Sequence, residues 1–98
     1  MYMNVDLLLQ TTILYLKCKK IQKLLLPYSW YKNQIRYISK IQDEKIIRLV
    51  FNKLLKKDII NRFKHHKSTF YIFNPYQQRF NIYTDFNITK QDRKIYFN

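Results

Sequence analysis

The sequence predicts a small α+β domain in which three helices precede a β-hairpin and a further β-rich tail. Up to about residue 57, apolar residues recur at the three- and four-residue steps of amphipathic helices. From residue 59 onward, short runs of β-branched and aromatic residues alternate with polar intervals. The chain has 98 residues, of which 47% are hydrophobic, so it can bury one core of modest size. We therefore expect one domain over residues 1–75, extended by a hairpin within residues 76–98.

The first helix is predicted over residues 5–26. Asn4 or Asp6 is a suitable N-terminal cap, and Pro27 ends the helix because the residue before a proline avoids helical angles. Cys18 is the only cysteine of the chain, so no intramolecular disulfide can form, and on this apolar helix we expect its thiol to be buried. The predicted apolar face consists of Leu8, Leu9, Ile13, Leu16, Ile21 and Leu24.

The second and third helices follow with a short joint between them. The second is predicted over residues 30–39, with Ser29 as its cap, and the turn occupies residues 39–42. The third begins at Asp43 and Glu44, because acids favour a helix start, and it ends at Lys56 and Lys57. The residues expected to face the core are Tyr31, Ile35 and Ile38 in the second helix and Ile47, Val50, Phe51, Leu54 and Leu55 in the third.

The outer face of the third helix is predicted to carry a polar line at three- and four-residue steps. This line consists of Lys45, Arg48, Asn52 and Lys56. Arginine and asparagine are the side chains best suited to bidentate contacts with base edges. The line is therefore a candidate nucleic-acid contact.

A β-hairpin is predicted directly after this helix. Residues 59–63 and 69–73 form the two strands, and Pro75 stops the second one because it cannot donate to a strand ladder. The interval between the strands is polar and basic, and consists of Lys64, His65, His66, Lys67 and Ser68.

A helix that runs directly into a basic-tipped hairpin resembles the recognition helix and wing of winged helix-turn-helix proteins. The stretch LLKKDIINRF looks like the segment where such domains leave the third helix, although many members have glycine where this chain has Asp58. The resemblance spans residues 5–75 and implies DNA binding with the third helix in the major groove. Arg48 and Asn52 would then read bases. The residues that would hold phosphates or reach the minor groove are Lys45, Lys53, Lys56, Lys64, His65, His66 and Lys67.

The remaining residues are interpreted as β structure. Apolar residues alternate between residues 80 and 88, and residues 95–97 form another short apolar run. We expect a second hairpin here, which either extends the sheet or mediates dimerisation. A fourth helix fits this alternation poorly.

The net charge of +13 indicates an anionic partner, with DNA favoured and RNA as the alternative. Residues 1–42 carry +6, residues 43–75 carry +5 and the tail carries +2, so the tail is the least suited to a nucleic acid. The chain has no glycine or alanine and is rich in Lys, Asn, Ile and Tyr, a composition that indicates an AT-rich genome.

Several functional classes find little support. There is no glycine-rich phosphate loop, no nucleophile motif and no paired carboxylate outside a helix start, so we expect neither an enzyme nor a cofactor. Adjacent histidines on a hairpin point apart, which argues against a zinc site at His65 and His66 with Cys18. No apolar run is long enough to cross a membrane and no secretory signal precedes the first helix, so we expect an intracellular protein of the cytoplasm or an organelle matrix.

The leading hypothesis is a winged-helix DNA-binding regulator or replication accessory factor, acting alone, as a homodimer or in a larger assembly. The alternative is an organelle-encoded structural subunit of a large assembly, such as a mitochondrial or plastid ribosome. A protein-only adaptor, in which the third helix binds an acidic groove, is a third hypothesis.

Overall fold

The protein is a small α+β domain of three helices and a three-stranded antiparallel sheet. The computed structural model describes residues 4–21, 24–77 and 79. In chain order the elements are α1 (Val5–Cys18), β1 (Leu25–Leu26), α2 (Tyr28–Ser39), α3 (Glu44–Lys56), β2 (Ile60–His65) and β3 (Ser68–Phe73). The three helices and the β2–β3 hairpin were predicted, whereas β1 was not. The second hairpin expected between residues 80 and 98 lies outside the described residues.

The first helix is shorter than predicted. It begins at its cap Asn4, whose side chain accepts hydrogen bonds from the backbone N–H groups of Asp6 at 2.9 Å and Leu7 at 3.3 Å. It ends at Cys18, and Lys20 then takes a positive φ of 56°, which a continuing helix does not allow. Residues 25–26, expected to be helical, instead pair with β3 as an edge strand.

The thiol of Cys18 is exposed, so the prediction of a buried cysteine is wrong. Because α1 stops at this residue, Cys18 lies on the last turn of the helix. The buried positions of α1 are Leu8, Leu9, Thr12 and Leu16, and Cys18 does not continue their face.

The joint between α2 and α3 is built from capping residues. Helix α2 begins two residues earlier than predicted, with Pro27 at its cap position, and Lys40 ends it in the left-handed conformation at φ 58°. Asp43 then caps α3 by accepting a hydrogen bond of 2.9 Å from the Lys45 N–H. After α3, Asp58 takes a positive φ of 60°, the conformation for which glycine is usual at a helix stop.

The sheet has the strand order β1-β3-β2. In the hairpin, Ile60 pairs with Phe73 at one end and His65 pairs with Ser68 at the other. The turn is therefore only two residues long, His66 and Lys67, and the predicted five-residue interval is mostly strand. A positive φ of 56° at His66 makes this tight turn feasible, since two-residue hairpin loops require such a conformation.

The main core lies between the three helices and one face of the sheet. Leu26, Ile60 and Phe73 are the sheet residues buried against the helices. The helical members are Leu8, Leu9, Leu16, Tyr31, Ile35, Ile47, Val50, Phe51 and Leu54, joined by Ile21 from the loop after α1. Every position expected to face inward in α2 and α3 is buried or packs against this core. No residue of the polar line belongs to it. None of the helices that the structure describes has the length and hydropathy to cross a membrane.

Candidate nucleic-acid interface

The outer face of α3 is polar and open to solvent. Ile47, Val50 and Leu54 are completely buried. The polar line predicted from the sequence, Lys45, Arg48, Asn52 and Lys56, is exposed along its whole length. Lys53, the further predicted phosphate contact in this helix, is half-buried. The amphipathic spacing thus separates a core-facing side of α3 from a cationic outer side.

A cleft joins this outer face to the base of the β2–β3 hairpin. We name it the α3–hairpin cleft, and its volume is about 230 Å³. Three polar side chains from two elements line it, Arg48 and Asn52 from α3 and Arg62 from β2. The apolar and aromatic lining is Tyr28, Phe51, Leu55 and Tyr71. Two arginines and an asparagine therefore line one open concavity.

The aromatic part of the cleft is a packed cluster. The ring of Phe51 lies 4.6 Å from that of Tyr28 and 4.9 Å from that of Tyr71, the latter at an edge-to-face angle of 84°. Beneath them, the buried hydroxyl of Tyr31 donates a hydrogen bond of 3.3 Å to the backbone carbonyl of Tyr71. Helix α2, helix α3 and strand β3 are thus fixed against each other where the cleft lies.

Arg62 reaches the cleft because of the alternation of β2. Ile60 belongs to the core, so Arg62 and Lys64, two and four residues further on, lie on the same face of the sheet. That face is the one on which the helices pack. The cations of the hairpin therefore continue the cationic side of α3. Our sequence-based interpretation missed Arg62, because the inward position of Ile60 is known only from its contact with the helices.

The hairpin tip presents some of the predicted contacts to solvent and buries another. Lys64, His66 and Lys67 are exposed, whereas His65 is only 6% exposed. The His65 ring stacks on Phe63 at 6.1 Å and meets His66 edge-on at 4.3 Å. His65 thus offers little surface to a ligand, and its contact with nucleic acid stays a prediction.

The acid nearest the start of α3 is neutralised by cations of α2. Glu44 accepts hydrogen bonds from Arg36 and from Lys32, the latter at 3.5 Å. Desolvation acts to raise the pKa of Glu44, but the charge of Lys32 and the hydrogen bond and charge of Arg36 outweigh it and hold the pKa below its usual range. Asp43, the neighbouring acid, caps the helix by accepting a hydrogen bond from the Lys45 N–H.

A second open cleft, of about 400 Å³, lies between α1 and α2. Its lining is Tyr15, Lys19, Asn33, Gln34 and Tyr37. Lys19 is the one charged residue among them, and its ammonium group lies over the Tyr15 ring at 5.2 Å from the centroid. This cleft is larger but offers a polyanion much less positive charge than the α3–hairpin cleft.

Within the described part of the chain, His, Cys, Asp and Glu side chains form no group of three or more that could hold a metal ion. Comparison of the chain with protein-family models, curated proteins and solved structures finds no match. The geometry and charge of the α3–hairpin cleft are therefore what support a function.

Proposed function

We propose that this protein is a winged-helix DNA-binding protein that serves as a regulator or replication accessory factor. The order of helices and strands and the strand order β1-β3-β2 are compatible with a winged helix. The single observation that carries the proposal is the convergence of Arg48, Asn52 and Arg62 on one cleft between α3 and the hairpin. A helix face and a hairpin that share a cationic groove can contact one polyanion together.

In this proposal α3 lies in the major groove. Its 13 residues span roughly 20 Å, and a helix of this diameter fits a groove about 12 Å wide. Arg48 and Asn52 contact base edges, since guanine and adenine offer matching bidentate partners to these side chains. Lys45 and Lys56 hold phosphates on the groove walls.

In the same proposal, the β2–β3 hairpin contacts the DNA phosphate backbone beside the major groove. Arg62 at its base and Lys64 further out lie on the helix side of the sheet. In the proposal they contact one edge of the bound strand. His66 and Lys67 at the tip reach the next phosphates or the minor groove. The aromatic cluster beneath Arg62 supports this arrangement because it fixes the hairpin against α3 before DNA binds.

The test is a titration of labelled duplex DNA at a series of salt concentrations. With about five lysine and arginine contacts to phosphate, the slope of log K against log salt should be roughly −4 to −5. Arg48→Ala and Asn52→Ala should each weaken binding to a selected site by ~1–3 kcal/mol and affect other sequences less. A slope near zero, or full affinity in both variants, would refute the proposal.

A structural RNA-binding subunit is the second candidate. The observation in its favour is the charge of +6 on residues 1–42, most of which lies outside the α3–hairpin surface. The same titration with structured RNA separates the two candidates. Tighter binding to RNA than to every duplex, lost on replacing lysines of α1 but retained in Arg48→Ala, would favour the RNA-binding subunit.

A further inference from the structure

The α3–hairpin cleft has an aromatic lining that a continuous DNA duplex does not use. Tyr28 and Tyr71 line the cleft and are only half-buried, so part of each side chain remains accessible. A paired base shows a protein its edges alone, because its two faces are covered by the neighbouring base pairs. Contacts of Arg48 and Asn52 with base edges therefore leave the tyrosines of the cleft without a partner in the nucleic acid.

Tyr71 is the ring on which a further planar group can stack. The rings of Phe51 and Tyr31 meet it at 84° and 83°, and that of Tyr28 at 60°, so none of the three lies parallel to it. The Tyr28 ring differs, because the Lys32 ammonium group already lies over it at 5.2 Å from the centroid. Among the described residues, no cation lies over the Tyr71 ring in this way. A planar group that enters the cleft can therefore stack on Tyr71.

A cation stands directly beside this ring. Arg62 is the register partner of Tyr71 across the hairpin, and side chains that face each other in this way are about 4.5–5.5 Å apart at Cβ. Within the described part of the chain, the side chains of Arg48, Asn52 and Arg62 make no ion pair and no hydrogen bond. Of the described residues that line the cleft, none is acidic. An aromatic ring next to an arginine matches a nucleotide, whose base stacks while its phosphate meets the cation.

The size of the cleft suits a single base. Its volume of about 230 Å³ is below the roughly 300–1,000 Å³ of pockets that enclose a drug-sized ligand. One planar ring system can therefore enter, while the attached sugar and phosphate stay outside, beside the exposed Arg48 and Arg62. A base that is already unpaired enters without the loss of pairing and stacking that extrusion from a continuous duplex requires. An unpaired base is thus the part of a DNA molecule that fits this cleft.

We propose that the α3–hairpin cleft binds one unpaired nucleobase of a DNA duplex, stacked on Tyr71 with Arg62 on a flanking phosphate. This inference rests on the proposed function, because the paired DNA beside the unpaired base lies on α3. The Asn52 amide, which can both donate and accept hydrogen bonds, meets the edge of the inserted base. The preferred ligand of the protein is then a duplex interrupted by an unpaired nucleotide, and a continuous duplex binds more weakly.

Anisotropy titrations of three labelled duplexes with the full chain test the preference. The first duplex is fully paired, the second carries a bulge of one thymidine, and the third carries the same bulge with an abasic nucleotide. The thymidine bulge should bind roughly 5–100-fold more tightly than the paired duplex, the range expected for stacking of one base on an aromatic side chain. The abasic bulge keeps the extra phosphate and the flexible backbone but lacks the base, so it should bind nearly as weakly as the paired duplex. An abasic bulge that binds as tightly as the thymidine bulge overturns the inference.

A pair of tyrosine variants locates the stacking site. Tyr71→Leu keeps an apolar side chain without a ring and should bring the ratio of bulged to paired affinity close to one. Tyr37→Leu is the matched control, since Tyr37 is an exposed tyrosine of the second cleft, and it should keep the wild-type ratio. An unchanged ratio in Tyr71→Leu, with the fold verified by circular dichroism, overturns the inference; the abasic comparison needs no variant and decides the question even if Tyr71→Leu unfolds.

The same titrations distinguish a failure of this inference from a failure of the proposed function. Equal affinity for all three duplexes, with a steep dependence on salt, overturns the unpaired-base site and leaves duplex binding by α3 in place. Binding to the thymidine bulge alone supports the site and refutes the recognition of paired DNA. The absence of binding to any of the three overturns both.

Discussion

Tyr31 of α2 and Tyr71 of β3 connect the helices to the hairpin. The Tyr31 hydroxyl donates a hydrogen bond of 3.3 Å to the Tyr71 backbone carbonyl, and the two rings meet edge-to-face at 6.3 Å. Tyr31 is only 1% exposed, so this bond is shielded from competing water. The position of the α3–hairpin cleft therefore depends on a contact that lies within the core beneath it.

Removing the Tyr31 hydroxyl should destabilise the fold without creating a cavity in the core. We expect Tyr31→Phe to keep the ring packing and to lower the free energy of unfolding by ~1–2 kcal/mol, because the hydrogen bond is lost and a part-buried carbonyl loses its donor. The corresponding fall in Tm is about 4–8 °C per kcal/mol for a domain of this size. Thermal unfolding followed by circular dichroism measures it, and an unchanged Tm would show that the bond contributes nothing.

The same residue should make the protein sensitive to alkali. Burial raises the pKa of Tyr31 well above its usual value, so the folded protein keeps its proton while the unfolded chain releases it above about pH 10. The stability contributed by the neutral hydroxyl is therefore complete below pH 10 and falls as the pH rises further. Between pH 9 and 11, the wild type should lose more stability than Tyr31→Phe, as denaturant titrations at each pH would show. Equal losses in both proteins would contradict this assignment.

The ion pair between α2 and α3 should show the reverse pH dependence. The pKa of Glu44 is lowered by Lys32 and Arg36, so its contribution to stability is present above the usual glutamate pKa and is lost as the pH falls below it. Glu44→Gln should be less stable than the wild type at pH 7, and the difference in Tm should shrink towards pH 3. The effect is small because the carboxylate is exposed. A Tm difference that is undiminished at pH 3 would exclude the charge as its cause.

Strain in a chain without glycine is a further source of instability. Lys40 ends α2 with φ 58° and ψ 22°, a conformation that costs a residue with a Cβ atom ~1–2 kcal/mol. Glycine avoids this cost but loses ~0.5–1 kcal/mol of chain entropy, so Lys40→Gly should stabilise the fold by about 0.5–1 kcal/mol. Lys19→Gly is the matched control, because Lys19 ends α1 at φ −77° and should lose stability on the same change. If both variants shifted Tm in the same direction, left-handed strain at Lys40 would not be the reason.

The outer face of α3 was predictable because helical periodicity depends on the local sequence alone. Strand β1 was not, since Leu25 and Leu26 also continue the apolar pattern of a helix and become a strand only by pairing with β3. The missed position of Arg62 in the α3–hairpin cleft has a related cause. Alternation in a strand is decided by register, and a shift of one residue exchanges the two faces. Without the contact of Ile60 with the helices, nothing local placed Arg62 on the side of α3.

The role of Arg62 leads to the sharpest prediction about binding. If the Arg62 guanidinium contacts a DNA phosphate at the base of the hairpin, Arg62→Met should weaken binding to all DNA sequences by a similar factor. The magnitude of the salt slope should also fall by about 0.9, the value of one phosphate contact. Arg62→Lys should keep the slope, because the charge remains, and lose part of the affinity, because the bidentate geometry is gone.

The control for this prediction is a cation in a different part of the fold. Lys19→Met removes one positive charge beside the second cleft, far in chain position from the α3–hairpin cleft, and should leave the slope nearly unchanged. Anisotropy titrations of the wild type and the three variants at four salt concentrations give all the slopes. A slope that falls equally in Arg62→Met and Lys19→Met would mean that net charge, and not a contact at Arg62, determines binding. A sequence-dependent loss in Arg62→Met would instead assign this arginine to base recognition.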